Sequence, residues 1–466
     1  MGHKRGLVVL LVAVVLMVGW PTAADAAAAI HQAPDPSITT ACTGTTSGTT
    51  FTLTADCDTT APLTVPDGFT VNGAGHIITV HDPPGGFFVG GVVTNAGTAM
   101  NVENLTIQGT GFAFNSCAQG VQTGIFFNDA GGFANNVTVL DITEHSGCNF
   151  GLGIRANALA GVARTVTITD ATVTGYQRSG IVSTGMMTLN VSNSTIGPPD
   201  DAGGRPAQNG VEYQSGATGS VTNSSVVGTF FPGTGAASTA FLMFGASNVT
   251  LADNTITGVG TDIGVSLTAG STGIVLDNNA IDRSPPPAGA ADPFGIGVQV
   301  AAGSSATLIC NTFSGWNTNL DGTTQPPCTT VTTFTAPSTV ASGEPVSLTA
   351  EVSCPAAPTG TVSFFDSSTP VGTATLSSGS STATLTLTDL TPGSHTFTAQ
   401  YNGDQNCADS VSAEHTVTVD ASPTPTPPST PTPAPVPTGP PVPGLPNTGH
   451  PPFAHPGDAQ DQRRGS

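Results

Sequence analysis

The side chains that could perform acid–base chemistry are few, and they are concentrated in the middle of the chain. Between residues 51 and 316 the only basic groups are three histidines and five arginines. Six candidate catalytic groups fall in loops that follow equivalent repeated strands, or in the strands that those loops feed: Glu144, His145, Arg155, Tyr176, Arg178 and Glu212. Because equivalent loops of a repeat stack on one side, we expect these groups to face one surface.

These groups would support two kinds of reaction. Outward positions two rungs apart, such as those of Arg155 and Glu212, would be separated by about 10 Å. A separation near this value suits two carboxylates with a water between them, as in inverting glycoside hydrolysis. His145 and Tyr176 would instead be the acid and base of a proton abstraction. The alternative is that all of them are solvated loop residues, with Arg178 and Glu144 forming an ordinary surface ion pair.

A repeat of short strands must position these groups. The segments "VTITDATVTG" (Val166–Gly175) and "VTLADNTITG" (Val249–Gly258) share one pattern, which recurs about every 30 residues. The last large apolar residue of each unit serves as its landmark: Ile107, Val173, Ile196, Val226, Ile256, Ile281 and Phe313. Each unit also holds a second strand that opens with glycine and an apolar residue. Stacked units of this kind predict an all-β solenoid with parallel strands.

A polar residue precedes each landmark except Phe313 by three positions. These residues are Asn104, Asp170, Asn193, Asn223, Asp253 and Asn278. Asparagine and aspartate tolerate the left-handed backbone conformation and bond their own backbone in turns. We therefore expect a stacked ladder of turns, and we interpret the two carboxylates as structural.

The repeat resembles the right-handed parallel β-helix, the pectate-lyase-like fold, over residues 38–328. The entry segment "LTVPDGFTVNGAGHIITV" (Leu63–Val80) is similar to the first rungs of such proteins. The resemblance implies the fold but no activity, since enzymes and adhesins share this scaffold. Of the polygalacturonase-type motifs only an Asp-Asp pair is present, Asp200-Asp201, which disfavours that subfamily. A lyase of this fold would need arginine, or a tyrosine–histidine pair, as its base.

Residues 329–420 resemble a bacterial Ig-like domain of the repeat-3 type. The segments "GEPVSLTAEV" and "SHTFTAQYNGD" carry the resemblance, and the second alternates cleanly between polar and apolar residues. The resemblance implies a β-sandwich that acts as a spacer or an adhesive module.

The two ends of the chain predict export. Residues 1–26 carry Lys4 and Arg5, a short apolar run and an Ala-x-Ala pattern, which is typical of a signal peptide. Residues 421–466 are rich in proline and threonine, which predicts a disordered stalk. The stalk contains the pentapeptide Leu445, Pro446, Asn447, Thr448 and Gly449, which resembles a sortase site but lacks a following apolar span. We expect an extracellular protein that is mostly released, with attachment to the cell wall as the alternative.

The charge of the chain limits the classes of partner that it can bind. The net charge is −21, and the only lysine is Lys4. Nucleic acids and anionic lipids need basic surface, so neither is an expected partner, and a polyanionic glycan is disfavoured for the same reason. No membrane span is expected after signal cleavage, and neither a metal site nor a cofactor is expected. The oligomeric state is left open.

Eight cysteines in an exported chain predict disulfides. Pairing of neighbours in sequence is the simplest arrangement, although the sequence leaves other pairings open. The expected pairs are Cys42 with Cys57, Cys117 with Cys148, Cys310 with Cys328, and Cys354 with Cys407.

Two functions follow from this organisation. The first is a secreted or cell-surface interaction protein, which displays the β-helix on a stalk for adhesion or contact with glycans. The alternative is an extracellular polysaccharide hydrolase or lyase with its site on the central coils. The absence of a recognisable catalytic motif favours the first, and whether the chain is an enzyme is left open.

Overall fold

The computed structural model describes residues 38–110, 112, 121–143, 151–198, 207–231, 236–290, 294–376, 379–422 and 439. All regular elements within these ranges are β-strands. No helix among the described residues is long and apolar enough to cross a membrane. The predicted signal peptide lies outside the described residues, as do the pentapeptide and nearly all of the predicted stalk.

The first unit of the chain is a parallel β-solenoid. Its strands, in chain order, are β1 (Gly44–Ser47), β2 (Thr50–Leu53), β3 (Cys57–Thr59), β4 (Leu63–Val65), β5 (Phe69–Asn72), β6 (Ile77–Val80), β7 (Gly90–Asn95), β8 (Ala99–Gly109), β9 (Gln122–Asn128), β10 (Gly131–Leu140), β11 (Leu152–Ala158), β12 (Arg164–Thr169), β13 (Thr172–Thr174), β14 (Ser179–Gly185), β15 (Met187–Ser192), β16 (Thr195–Ile196), β17 (Asn209–Gln214), β18 (Thr218–Thr222), β19 (Ser225–Val227), β20 (Thr239–Phe244), β21 (Val249–Ala252), β22 (Thr255–Thr257), β23 (Ile263–Thr268), β24 (Ile274–Asp277), β25 (Ala280–Asp282), β26 (Ile296–Val300), β27 (Ala306–Ile309), β28 (Thr312–Ser314) and β29 (Thr318–Asp321).

Two sheets run along the solenoid. Sheet A has ten strands in the order β4-β7-β9-β11-β14-β17-β20-β23-β26-β29. Sheet B has 19 strands, and each coil gives it two short strands separated by a bend, or one long strand in β8 and β10. Apart from the antiparallel pair β1–β2, the pairings within these sheets are parallel. The inward side chains of both sheets form one continuous core, from Cys42 to Leu308.

The bends of sheet B confirm the predicted turn positions. The six asparagine and aspartate residues that precede the landmarks have φ values between 48° and 56°. Asn136 and Cys310 occupy the same position in two further coils, with φ values of 50° and 51°. Some neighbouring side chains bond along the stack: Asn278 Nδ2 donates to Asp253 Oδ1 at 2.7 Å. The left-handed bend therefore recurs coil after coil, because these residues adopt it at low cost.

A second, buried ladder runs one residue after the bends. It consists of Ser194, Ser224, Asn254, Asn279 and Asn311, each with at most 3% exposure. The backbone N–H of each of the first four donates to the side-chain oxygen of the next, at 3.0–3.1 Å. Gln325 ends the ladder, because its Oε1 accepts from the backbone N–H of Asn311 at 2.9 Å. Each coil thus satisfies a buried polar group of its neighbour.

The second unit is a β-sandwich. Its strands are β30 (Val331–Thr335), β31 (Thr339–Val340), β32 (Val346–Ser353), β33 (Thr361–Asp366), β34 (Thr369–Thr375), β35 (Thr382–Leu387), β36 (Gly393–Tyr401), β37 (Ser410–Val411) and β38 (His415–Val419). One sheet has the order β30-β32-β35 and the other β31-β38-β36-β33-β34, with β37 on β36. Their facing side chains, among them Leu348, Phe364 and Phe397, form a separate core. The predicted boundary at residues 328/329 falls between β29 and β30.

The cysteines follow the expected pairing only in part. Disulfides join Cys42 to Cys57 and Cys354 to Cys407. Cys310 and Cys328 are free thiols in this structure rather than the predicted disulfide. Cys117 and Cys148 lie outside the described residues, so their pairing stays a prediction. The two bonds close the first coil and one end of the sandwich.

Candidate functional site

The central strands of sheet A carry a column of outward side chains. Register places Arg155 beside Phe126 and Val182, and Val182 beside Glu212. The column continues through Leu242, Ser266 and Gln299. Arg155 and Glu212 therefore lie two rungs apart in one column, which corresponds to about 10 Å between their backbones.

This outward column is buried, which differs from the exposed face that we expected. Arg155 has 8% exposure, Val182 has 1% and Glu212 has 4%. Every residue of β11 and of β17 is buried on both faces of the sheet. A lack of polar–apolar alternation in the sequence indicates this burial, because strands that are covered on both faces consist of continuous apolar residues. The segment "TAFLMF" of β20 shows this most clearly.

Glu212 lies at the centre of a buried polar network. Its Oε2 accepts hydrogen bonds from Ser179 Oγ at 2.9 Å and from Asn209 Nδ2 at 3.2 Å. Its Oε1 accepts a short hydrogen bond from Gln214 Nε2. Thr239 and Thr184 extend the network to Asn209 and Gln214 respectively. No salt bridge to Glu212 is present among the described residues, so neutral donors hold this buried carboxylate.

None of the candidate groups that the structure describes is a hydrogen-bond partner of Glu212. Tyr176 belongs to the solenoid core with 1% exposure, and burial raises its pKa well above the usual range of a phenol. This position makes it a poor proton acceptor, contrary to the role that its loop suggested. The Arg178 guanidinium donates to the carbonyl oxygen of Ala207. The Arg155 guanidinium lies 4.8 Å from the centre of the Phe126 ring. Glu144 and His145 lie outside the described residues.

Aromatic side chains that could stack on a sugar are mostly hidden in the described part of the chain. Tyr213 is fully buried, and its hydroxyl donates to the carbonyl oxygen of Leu189 at 2.8 Å. Trp316 is half-buried and donates from Nε1 to the carbonyl oxygen of Ile281 at 2.8 Å. The Trp316 side chain packs against the solenoid core. Phe230 lies in the loop after β19. Its side chain is half-buried and lines an open cavity.

That cavity is a groove of about 760 Å³ along the loops that lead from sheet B into sheet A. We call it the loop groove. Its lining residues come from six successive coils: Asp141, Thr174, Gly175, Pro198, Val227, Gly228, Thr229, Phe230, Val259 and Pro287. Asp141 is exposed, and Val259 has 60% exposure. No sequence motif indicates this groove, because its residues are spaced by whole coils and are mostly small and uncharged.

The loop groove is connected to the network around Glu212. Thr229 Oγ1 donates to Gln208 Oε1 at 3.4 Å, and Gln208 Nε2 donates to the carbonyl oxygen of Gln177 at 2.9 Å. Gln208 directly precedes Asn209, which bonds Glu212. A side chain of the groove wall is therefore linked to the buried carboxylate by a hydrogen bond to Gln208, the peptide bond from Gln208 to Asn209, and a hydrogen bond from Asn209 to Glu212.

Comparison with protein families accounts for both units. Residues 152–320 match the family model "Right handed beta helix region", and residues 331–420 match "Bacterial Ig-like domain (group 3)". The chain contains a right-handed β-helix followed by a bacterial Ig-like domain. A search of curated proteins finds no match.

Three solved structures are similar to parts of this chain. The enzymatically active domain of tailspike protein 2 from bacteriophage CBA120 is 11% identical, with a TM-score of 0.39, over 79% of this chain and 66% of that one. The periplasmic alginate epimerase AlgG is 11% identical, with a TM-score of 0.31, over 60% and 77%. The catalytic unit of the GH87 α-1,3-glucanase from Streptomyces thermodiastaticus strain HF3-3 is 9% identical, with a TM-score of 0.26, over 58% and 57%. At such values the likeness concerns the fold alone.

Proposed function

We propose that this protein acts outside the cytoplasm as a glycan-contacting surface or secreted protein, whose β-helix binds an extended, uncharged polysaccharide in the loop groove. The observation that carries the proposal is the groove itself, with lining residues from six successive coils. Five rung spacings of about 4.8 Å make it about 24 Å long. A long, open cleft suits a polymer better than a compact small molecule, which is usually enclosed.

The lining of the loop groove supports a carbohydrate ligand. The Asp141 carboxylate and the hydroxyls of Thr174 and Thr229 can hydrogen-bond sugar hydroxyls. Phe230 and Val259 offer apolar surface on which the C–H face of a sugar ring can pack. This mixture of apolar surface with a few polar groups is typical of ligand sites in proteins.

Charge narrows the class of polysaccharide. The chain has 30 acidic and 9 basic residues, and the described lining residues include Asp141 but no cation. A polyanion such as a uronic acid polymer would be repelled, since no basic group in that lining would pair with its carboxylates. The two disulfides support the location, because such bonds persist mainly in exported proteins.

The test is a binding assay of the full chain on neutral polysaccharides, with a uronic acid polymer as the charged comparison. Val259→Asp places a charge in the groove, and we expect it to weaken binding at least tenfold. Val162→Asp is the matched control, because Val162 is 51% exposed and follows β11 at the opposite end of the sheet A strands. Equal losses in both variants, or no binding to any neutral polymer, would contradict the proposal.

The network around Glu212 supports the alternative function, a polysaccharide hydrolase or lyase. A buried carboxylate held by neutral donors on a strand next to the groove loops is a candidate acid or base. The test follows reducing ends and unsaturated ends during incubation with the same polymers. Products that vanish in Glu212→Gln, with an unchanged melting temperature, would establish the enzyme. Binding without products in the wild type would leave the protein a glycan-binding module.

A further inference from the structure

The β-helix and the Ig-like domain meet at a short connecting segment, residues 322–330, between β29 and β30. Two thiols lie at this junction. Cys310 occupies the left-handed bend of the last coil, with a φ of 51°, where earlier coils have asparagine or aspartate. Cys328 lies in the connecting segment and is buried, with 1% exposure. Both are free in this structure.

The connecting segment is held by the β-helix at one point. Gln325 Oε1 accepts from the backbone N–H and from Nδ2 of Asn311, each at 2.9 Å. Gln325 Nε2 donates to the carbonyl oxygen of Asn311, also at 2.9 Å. Because Asn311 directly follows Cys310, these bonds bring the segment against the coil that carries the Cys310 thiol.

Three residues later the same segment is held by the Ig-like domain. The backbone N–H of Cys328 donates to the carbonyl oxygen of Asn406 at 2.7 Å, and its carbonyl oxygen accepts from Ala408 at 2.8 Å. Cys328 thereby pairs with Cys407 in an isolated parallel β-bridge. Cys310 thus lies on the last coil and Cys328 is bonded to the Ig-like domain, with the two thiols as neighbours across this junction.

We propose that Cys310 and Cys328 form a redox-controlled clamp between the two units. In the reaction the two thiols lose two protons and two electrons, and an S–S bond joins them. The oxidant is a disulfide, either of a thiol–disulfide oxidoreductase or of a small molecule, and its S–S bond is reduced to two thiols. In the reduced form the backbone of this segment and its hydrogen bonds connect the last coil to the Ig-like domain. In the oxidised form a covalent bond fixes the coil to the domain.

The surroundings of Cys328 determine how fast the clamp closes. Burial and the neighbouring Cys310 thiol raise the pKa of Cys328 to about 12. Little Cys328 thiolate is therefore present at neutral pH, and the thiolate is the form that attacks a disulfide. The same effect slows attack of Cys328 on the adjacent Cys354–Cys407 bond, which would exchange partners instead of linking the units.

The test exposes the full chain to oxidised glutathione at pH 8.5, blocks remaining thiols with iodoacetamide and maps the disulfides by mass spectrometry. Limited proteolysis of residues 322–330 then measures how firmly the junction is held. We expect a Cys310–Cys328 bond and at least fivefold slower cleavage of this segment after oxidation. In Cys310→Ser, oxidation should not change the cleavage rate.

Three outcomes would overturn the clamp. The first is full alkylation of both thiols after oxidation. The second is a bond from Cys328 to Cys407 or Cys354, which indicates exchange within the Ig-like domain. The third is formation of the Cys310–Cys328 bond with the same cleavage rate in the oxidised, reduced and Cys310→Ser proteins. In that case the bond would form without changing how firmly the junction is held.

Discussion

Asp404 organises the loop that carries the Ig-like domain's disulfide. Its Oδ2 accepts from the backbone N–H of Thr359 at 2.8 Å and from its hydroxyl at 2.6 Å, and its Oδ1 accepts from Asn406 and Cys407. Burial opposes ionisation, but these donors outweigh it and lower the pKa from 3.8 to about 2. A carboxylate with a depressed pKa stabilises the fold above its unfolded pKa.

We therefore predict that the Ig-like domain loses stability between pH 3.8 and about 2 through this residue. After allowance for screening by solvent, the loss should be ~1 kcal/mol. Thermal unfolding of wild type and Asp404→Asn across this range measures it. The wild type should be the more stable above pH 4, and the difference should shrink as the pH falls. A constant difference from pH 5 to pH 2 would show that Asp404 does not titrate in this way.

His395 provides the opposite pH dependence in the same domain. Its Nδ1 lies 2.6 Å from Asp366 Oδ2, and its Nε2 lies 2.8 Å from the carbonyl oxygen of Thr391. Both neighbours are acceptors, so both ring nitrogens donate only in the protonated imidazolium. The hydrogen bond to Asp366 is the largest cause that raises the pKa of His395 above 6.5.

The contribution of His395 should be fully present below pH 6.5 and lost as the pH rises through its folded pKa. An NMR titration of the ring protons should give a midpoint above 6.5, and Asp366→Asn should move it back towards 6.5. A midpoint in the wild type at or below 6.5 would mean that the contact with Asp366 does not stabilise the imidazolium.

At the element scale, the buried ladder of sheet B explains how coils of unlike sequence stay in register. Asn254 has 1% exposure, accepts from the backbone N–H of Ser224 at 3.0 Å, and donates to the carbonyl oxygen of Val221 at 2.8 Å. Removal of the amide would leave several buried polar groups without partners. Each such loss costs about 1–3 kcal/mol.

We predict that Asn254→Ala lowers the free energy of unfolding of the β-helix by about 3 kcal/mol. The chain offers its own control, since serine occupies the equivalent position at Ser194 and Ser224. Asn254→Ser should therefore lower the free energy of unfolding clearly less than Asn254→Ala does. Denaturant unfolding of both variants decides this. If both variants lowered the free energy of unfolding equally, lost packing and not the hydrogen-bond ladder would set the stability of these coils.

The strands and bends of the solenoid could be predicted from sequence because each is a local pattern. The bend residues Asn104 to Asn278 show both the chemistry of a left-handed turn and the spacing of the repeat. The candidate site could be predicted only in part. Register placed Arg155 and Glu212 in one column, but nothing local to Tyr176 showed that its ring enters the core. Whether a side chain in a loop points towards the core or away from it depends on contacts between coils, and these contacts are not visible in the linear sequence.

At the scale of the whole molecule, each unit has its own core and its own disulfide. The bond Cys42–Cys57 spans 15 residues in the first coil, and Cys354–Cys407 spans 53 residues in the sandwich. A disulfide limits the freedom of the unfolded chain in proportion to the logarithm of the loop that it closes. The two bonds should therefore stabilise different units by about 3 and about 4 kcal/mol respectively.

The prediction at this scale is that calorimetry of the full chain resolves two transitions that respond to different bonds. A Cys354→Ser, Cys407→Ser variant should shift the transition of the Ig-like domain and leave the β-helix transition within a degree or two. A Cys42→Ser, Cys57→Ser variant should do the reverse, because Cys42 and Cys57 contact the β-helix core alone. If both transition temperatures shifted together in either variant, the two units would unfold as one. The segment at Gln325 and Cys328 would then couple their stabilities even with the clamp reduced.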